Sequence, residues 1–250
     1  MEENKLSQEE QKATIMINDL YKSYGDKDVL TGLNLEVYEK ELFGFIGRNG
    51  IGKSTTIDCM IGSKKFSKGE VYISGFDIKK YPLQAKQTFG YVASEPTCYE
   101  EMTGYDYLEF IASIYGLGEE DFNHNYKYLC TRLQFNLEEL SNPISDYSHG
   151  MKQKIALIAA LSHNPEILIM DEPFVGLDPK AVYDMKEVMR NMAKSGKTIF
   201  FSTHILDVAE KLCDRVAIIK DGSITTIGKM KDIKGNESLE EVFLELGEKA

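Results

Sequence analysis

The sequence has no apolar run approaching the roughly 18 residues needed to cross a bilayer. Its longest candidates, Ile155 to Leu161 and Ile167 to Met170, read as a core helix and a core strand. Basic charge is also scarce. Lys and Arg number 29 against 40 Asp and Glu, a formal net charge of −11. That balance speaks against a nucleic-acid partner, whose readers carry a basic surplus; many soluble enzymes are acidic for solubility alone. The four cysteines, Cys59, Cys98, Cys130 and Cys213, are widely spaced and lack metal-type pairing. They are expected to be dispersed buried thiols in a reducing compartment. There is no internal repeat and no low-complexity linker. Met1 to Lys12 reads as a loose polar lead-in, too acidic for a signal peptide, so the chain is expected to stay in the cytosol.

What is present fits a folded chain. Hydrophobic residues make up 42% and charged residues 28% of 250, enough to bury a full core in one large domain or two closely joined ones. Thr14–Asp19 and Leu33–Val37 alternate as strands do. Leu42–Ile46 is nearly all apolar, which predicts a strand covered on both faces. A Gly-rich turn and a helix from about Lys53 to Ile61 follow, and Gly69–Gly75 reads as a further strand. From Glu101 to Leu161 the periodicity turns helical, with Thr103 and Asp106 as a capping pair and Ser148 as a later cap. Ile167–Met170, Thr198–Ser202 and Val216–Lys220 read as strands. Asp178-Pro179 reads as a helix start, Asp221-Gly222 as a hairpin turn, and Ser238 with Glu241 as a capping box over a short helix.

Two motifs carry chemistry. Gly47-Arg48-Asn49-Gly50-Ile51-Gly52-Lys53-Ser54 fits the phosphate-binding pattern G-x-x-x-x-G-K-[ST] between a strand and a helix. Its glycines let backbone N–H groups curl around phosphate oxygens, and the helix end adds about half a positive charge. Lys53 is expected to reach the β- and γ-phosphates, Ser54 to ligate Mg²⁺, and Thr55 to bond the α-phosphate. Ile167–Met170 then delivers Asp171 and Glu172 to a strand's C-terminal end, where open α/β sheets bind ligands. Asp171 is expected to hold Mg²⁺ and Glu172 to act as the general base toward water. A structural Gly-rich turn and a solvated acidic pair are the plain alternatives, and finding both motifs in one chain disfavours them.

The residues between and after these motifs carry a resemblance. Tyr147-Ser148-His149-Gly150-Met151-Lys152-Gln153-Lys154 resembles the ABC signature, usually L-S-G-G-Q. Gly176-Leu177-Asp178 resembles the D-loop, and Ser202-Thr203-His204 the switch-histidine motif. In order and spacing the chain from about 14 to 228 resembles an ABC ATPase. The resemblance implies a P-loop NTPase (RecA-like) α/β core, a small antiparallel β-subdomain and an inserted α-helical subdomain. The core is expected at about 14–94 and 165–228, the helical insert at about 95–164, and a helical tail at about 229–250. It further implies ATP and Mg²⁺ as ligands and a head-to-tail dimer. In that dimer Ser148, His149, Gly150 and Met151 cap the partner's γ-phosphate and Asp178 belongs to the D-loop. His204 holds the attacking water, and Tyr24, 23 residues before Gly47, stacks on adenine.

Two positions depart from the pattern. Ser94 stands where the family has Gln, which leaves Ser94 through a water, or Glu95, as the Mg²⁺ contact from that loop. Phe174 stands where Thr is common, a change expected to alter packing. The Y-S-H-G-M-K-Q-K wording resembles the bacterial two-component (ABC-2-type) exporters. The implied partners are a separate transmembrane permease and a second ATPase subunit, a homodimer being the expectation, on the inner face of the membrane and without nucleic acid. A non-transport ABC ATPase is the first competing reading, disfavoured by the single cassette and by the absence of coiled-coil or zinc inserts. A nucleotide-gated switch is the second, and Ser94 is its one support. A small-molecule kinase would leave the signature and His204 unexplained.

Overall fold

The computed structural model describes residues 12–248, so all of the expected polar lead-in except Lys12 lies outside the described residues. In chain order the elements are β1 (Ala13–Tyr24), β2 (Lys27–Tyr38), β3 (Leu42–Ile46), α1 (Lys53–Met60), β4 (Lys68–Ile73), β5 (Phe76–Asp77), α2 (Pro82–Thr88) and β6 (Phe89–Val92). Three helices follow, α3 (Gly104–Ile114), α4 (Glu119–Arg132) and α5 (His149–Leu161), with two short 3₁₀ turns between the last two. Then come β7 (Ile167–Met170), α6 (Pro179–Lys194), β8 (Thr198–Thr203), α7 (Leu206–Leu212), β9 (Arg215–Lys220), β10 (Ser223–Lys229), α8 (Met230–Lys234) and α9 (Leu239–Glu248).

The strands form two sheets. One has six strands in the order β10-β9-β3-β8-β7-β6, parallel except for β10. The other is antiparallel, in the order β2-β1-β4-β5. Burial on both faces explains why β3 and β7 read as nearly unbroken apolar runs; β8 is buried throughout but apolar only at Ile199, Phe200 and Phe201. Successive side chains go to opposite faces. Phe43, Phe45 and Phe200 therefore meet Ile15, Ile17, Leu33, Leu35 and the α1 residues Ile57 and Met60. Leu42, Ile46, Leu168, Met170 and Phe201 face Ile155 and Ile158 of α5 and Met189 of α6. Phe43 and Phe200 stack with centroids 5.9 Å apart, and Phe174 packs edge-on against Phe201 at 5.7 Å, so that departure from the family is a packing residue.

Several caps fall where the sequence puts them. Thr103 Oγ1 accepts from Asp106 N at 3.1 Å, Ser148 Oγ from Met151 N at 3.3 Å, and Asp178 Oδ1 from Ala181 N at 2.8 Å. Ser238 and Glu241 close a reciprocal box ahead of α9. Asp221 and Gly222 both take positive φ, 48° and 76°, as a two-residue hairpin of the primed type requires.

Other expectations need correction. β1 and β2 run much further than Thr14–Asp19 and Leu33–Val37, because β1 continues past an irregularity at Asn18–Tyr21 where Asp19 takes φ 50°. Ser74 and Gly75 belong to the β4–β5 turn, both with positive φ, and not to the strand. Helices α2, α7 and α8, each of seven residues or fewer, gave too few turns to show a period. Cys98 is only half-buried, whereas the other three thiols are buried.

α3, α4 and α5 join β6 to β7, and two contacts fix them to the sheet. A Cβ on Gly90 of β6 would collide with the Ala160 carbonyl oxygen of α5. His163, just past α5, stacks on Tyr115, just past α3, with ring centroids 3.6 Å apart and planes within 3°. Its Nε2 lies 3.2 Å from the Phe89 carbonyl, so that nitrogen carries the proton. Burial pushes this imidazole down to about 4.

Candidate functional site

The C-terminal ends of β3, β7 and β8 converge, because the three strands are parallel neighbours in register. Beyond Ile46 the chain turns, with Gly47 N donating to Thr203 O at 3.4 Å. A Cβ on Gly47 would stand 2.6 Å from Ile219 Cγ2, so only glycine lets the loop lie on β9. Gly52 takes φ 119° and caps α1 with no side-chain hydrogen bond. The first turn of α1 also holds no acidic residue, so its leading N–H groups and dipole face outward as an anion-binding end. Ser54 and Thr55 lie in that turn, Ser54 exposed.

Lys53 is buried, and its Nζ donates to Gly47 O at 2.8 Å and Arg48 O at 3.1 Å. The same Nζ pairs with Glu172 Oε1 at 3.0 Å. The other Glu172 oxygen accepts from His204 N at 3.3 Å and meets His204 Nδ1 at 2.9 Å. An ionised carboxylate only accepts, so Nδ1 carries the proton toward Glu172. Three of the expected chemical residues thus form one connected cluster.

Two features of this cluster were not foreseen. Glu172 has φ 47°, a left-handed conformation that costs a non-glycine residue about 1–3 kcal/mol. Ser202, fully buried at the end of β8, donates to Asp171 Oδ1 and accepts from Glu172 N at 3.0 Å. One hydroxyl therefore fixes both members of the acidic pair. The register explains the contact: Met170 pairs with Phe201, so the next residues on β7 and β8 meet.

Asp171 N donates to Val92 O at 2.9 Å, tying β7 to the end of β6 two residues before Ser94. Ser94 is half-buried and Glu95 is exposed. Burial, then the Asp171 carboxylate, pushes the Tyr91 phenol upward, so it stays protonated beside the site. Tyr24 ends β1 and is 43% exposed, with Lys22 Nζ 4.6 Å and Lys64 Nζ 5.6 Å from its ring centre. Lys64 also pairs with Asp58 of α1 at 3.1 Å, which places the ring beside that helix.

The remaining expected residues gather elsewhere. Ser148, Gly150, Met151 and Asp178 line a groove of about 360 Å³ with Lys154 and Lys180, and none of residues 47–55 lines it. His149 lies against Gly176, its Nε2 3.0 Å from where a Cβ would stand. Tyr147 is buried and donates from its hydroxyl to Glu139 O at 2.7 Å, anchoring the start of α5.

The donors suit a nucleotide with Mg²⁺. The Ser54 hydroxyl and the Asp171 carboxylate are hard oxygen ligands, and too few for a closed protein cage. Among the described residues no cluster of three His, Cys, Asp or Glu could hold a metal alone.

Comparison with known proteins agrees with this geometry. The ABC transporter family model matches residues 30–175. An uncharacterized ABC transporter ATP-binding protein of Methanocaldococcus jannaschii is 36% identical over 89% of this chain and 80% of its own length. The linearmycin resistance ATP-binding protein LnrL of Bacillus subtilis is 33% identical, covering 88% of this chain and 70% of LnrL. A solved ATP-binding subunit of an ABC transporter superposes with a TM-score of 0.87 at 33% identity, over 94% of this chain and all of that one. A phosphate-binding loop and an acidic strand end on an α/β sheet define a P-loop ATPase. Within that class, the chain belongs to the ABC transporter family as an ATP-binding protein.

Proposed function

We propose that this protein hydrolyses ATP to drive export through a separate transmembrane permease, working as a head-to-tail homodimer at the inner face of the membrane. The observation that carries the reading is the Lys53–Glu172–His204 cluster at the mouth of the phosphate loop. Lys53 leaves its own loop carbonyls and Glu172 to take phosphate oxygens. Glu172, released, accepts the proton of the attacking water, with His204 steering its carboxylate. The N–H groups of residues 47–55 hold the phosphates, and Tyr24 stacks on the base. Ser54 and Asp171 would hold Mg²⁺, which supplies charge neutralisation on the phosphates when bound.

The groove around Ser148 and Gly150 is the second half of the composite site, offered to the phosphates of the other copy. Lys154 and Lys180 line it together with the carboxylates Glu139, Asp178 and Asp184, and the start of α5 at Ser148 offers a helix N-terminus to an anion. The permease docks beside Ser94, where Tyr99 and Phe110 meet edge-on and both remain exposed, together with Ile114. No helix among the described residues is long and apolar enough to cross a membrane. The export direction draws support from the likeness to LnrL, whose name records resistance to linearmycin.

The test is Mg²⁺-dependent phosphate release by the purified chain as protein concentration rises, repeated with a co-expressed permease. A better than linear dependence on concentration supports the sandwich. Saturable ATP binding with no turnover under either condition sinks the hydrolytic reading. It would favour a nucleotide-gated switch, for which Ser94 in place of Gln is the supporting residue.

A further inference from the structure

We infer that α9 is a positioning element for the phosphate loop, acting through Phe243, Leu246 and Lys220; the inference rests on the nucleotide reading of that loop. Phe243 and Leu246 of α9 share a cavity of about 130 Å³ with Arg48 and Ile51 of the loop. The floor between them is the end of β9, Ile218 to Asp221. The loop already rests on that floor. Ile219 Cγ2 bars any side chain at Gly47, and Ile219 Cδ1 lies 3.5 Å from a Cβ built on Gly52. Lys220 then ties the floor to the helix, its Nζ donating to the Leu246 carbonyl at 2.7 Å. That carbonyl is among the last four of α9, which have no partner within the helix. The ammonium there satisfies the acceptor and matches the helix dipole.

The other side of the loop is braced differently. Leu30 lies 3.0 Å from a Cβ built on Gly52, and Thr31 N donates to Gly222 O at 3.0 Å. The loop is thus held between the β2 side and the β9–α9 side. On its inner face one side chain, Lys53, holds the Gly47 and Arg48 carbonyls, and the rest of the loop presents backbone N–H groups. A loop of that kind keeps donor directions only as well as its outer wall is fixed, and a displacement of about 1 Å weakens every phosphate contact together. Phe243 and Leu246 line the α9 side of the small cavity that Arg48 and Ile51 line from the loop side, and the Lys220–Leu246 hydrogen bond joins α9 to the strand beneath the loop.

The experiment uses the full chain with Phe243→Ala, Phe243→Leu and Lys220→Met. ATP affinity is read with a fluorescent ATP analogue displaced by ATP, beside steady-state kcat and KM and a melting curve without nucleotide. Phe243→Ala should raise the ATP Kd and KM about three- to tenfold with kcat within about twofold, and Phe243→Leu should restore them. Lys220→Met, which leaves the packed face of α9 untouched, should raise the Kd in the same direction. Unchanged Kd in both Phe243→Ala and Lys220→Met, with wild type binding ATP, removes the positioning role and leaves the nucleotide reading standing. A lowered melting temperature with Kd unchanged means that α9 only stabilises the fold. Absence of saturable ATP binding in wild type removes both readings.

Discussion

Lys53 and Glu172 form an ion pair at 3.0 Å, although the sequence assigns one to bind phosphate and the other to activate water. Both side chains are largely buried. In the mechanism we propose, phosphate arriving at Lys53 frees the Glu172 carboxylate in the same event, so that binding and activation are coupled by competition for one ammonium.

Glu172→Gln tests that coupling. The amide still fills the space and Lys53 keeps its two loop carbonyls, so the fold should hold. Turnover should fall about 10²–10⁴-fold while ATP binding persists or tightens. Phosphate release and equilibrium ATP binding measured side by side check this, with sedimentation to detect an ATP-trapped dimer. Turnover within about tenfold of wild type would falsify the base assignment.

Ser202→Ala removes the hydroxyl that links Asp171 to the backbone of Glu172. Both carboxylates remain, less firmly held. We expect kcat to drop about tenfold with KM for ATP little changed, because the loss concerns alignment of the reacting groups and not phosphate binding. A selective rise in KM with kcat intact would place Ser202 in substrate binding instead.

Tyr24→Ala should raise the KM for ATP about tenfold, and Tyr24→Phe should leave it near wild type. Stacking reads no base edge, so GTP should serve nearly as well as ATP in the wild-type chain. Equal KM values for wild type and Tyr24→Ala would return this exposed ring to the ordinary surface.

His163 sets a pH dependence of stability. Burial holds its folded pKa near 4, below the ordinary 6.5. The unfolded chain therefore takes up the proton first as pH falls. The neutral ring's contribution is complete above about pH 6.5, declines between 6.5 and 4, and levels off below 4. Urea denaturation at pH 7.5 and pH 5 should show a smaller loss of stability in His163→Phe, which keeps the stack on Tyr115 and removes the titration. Identical losses in the two proteins would show that His163 does not drive the slope.

Much of the site was legible because its chemistry is written locally. The run from Gly47 to Ser54 encodes a backbone shape, and Ile167 to Glu172 encodes a buried strand with its cargo at the end. Asp178-Pro179 and Ser148 announced their helices by caps. What stayed hidden depends on partners distant in sequence. Ser202 reads as a small polar residue until β8 is laid beside β7. The left-handed turn at Glu172 leaves no mark, since glutamate is not a residue that favours it. The short helices α2 and α7 gave too few turns for a period, and the meeting of α9 with the phosphate loop joins segments almost 200 residues apart.

The bare α-carbon at Gly90 has a consequence for how this sequence can drift. The obstacle there is the Ala160 carbonyl oxygen, a backbone atom that every amino acid carries. No second mutation at residue 160 can make room, so the position has no compensating partner and is closed to stepwise substitution. Residue 160 itself keeps some latitude. A lineage of such chains should hold glycine at 90 through long divergence while its neighbour varies, which makes it a fixed point for registering β6 against α5 when distant relatives are aligned.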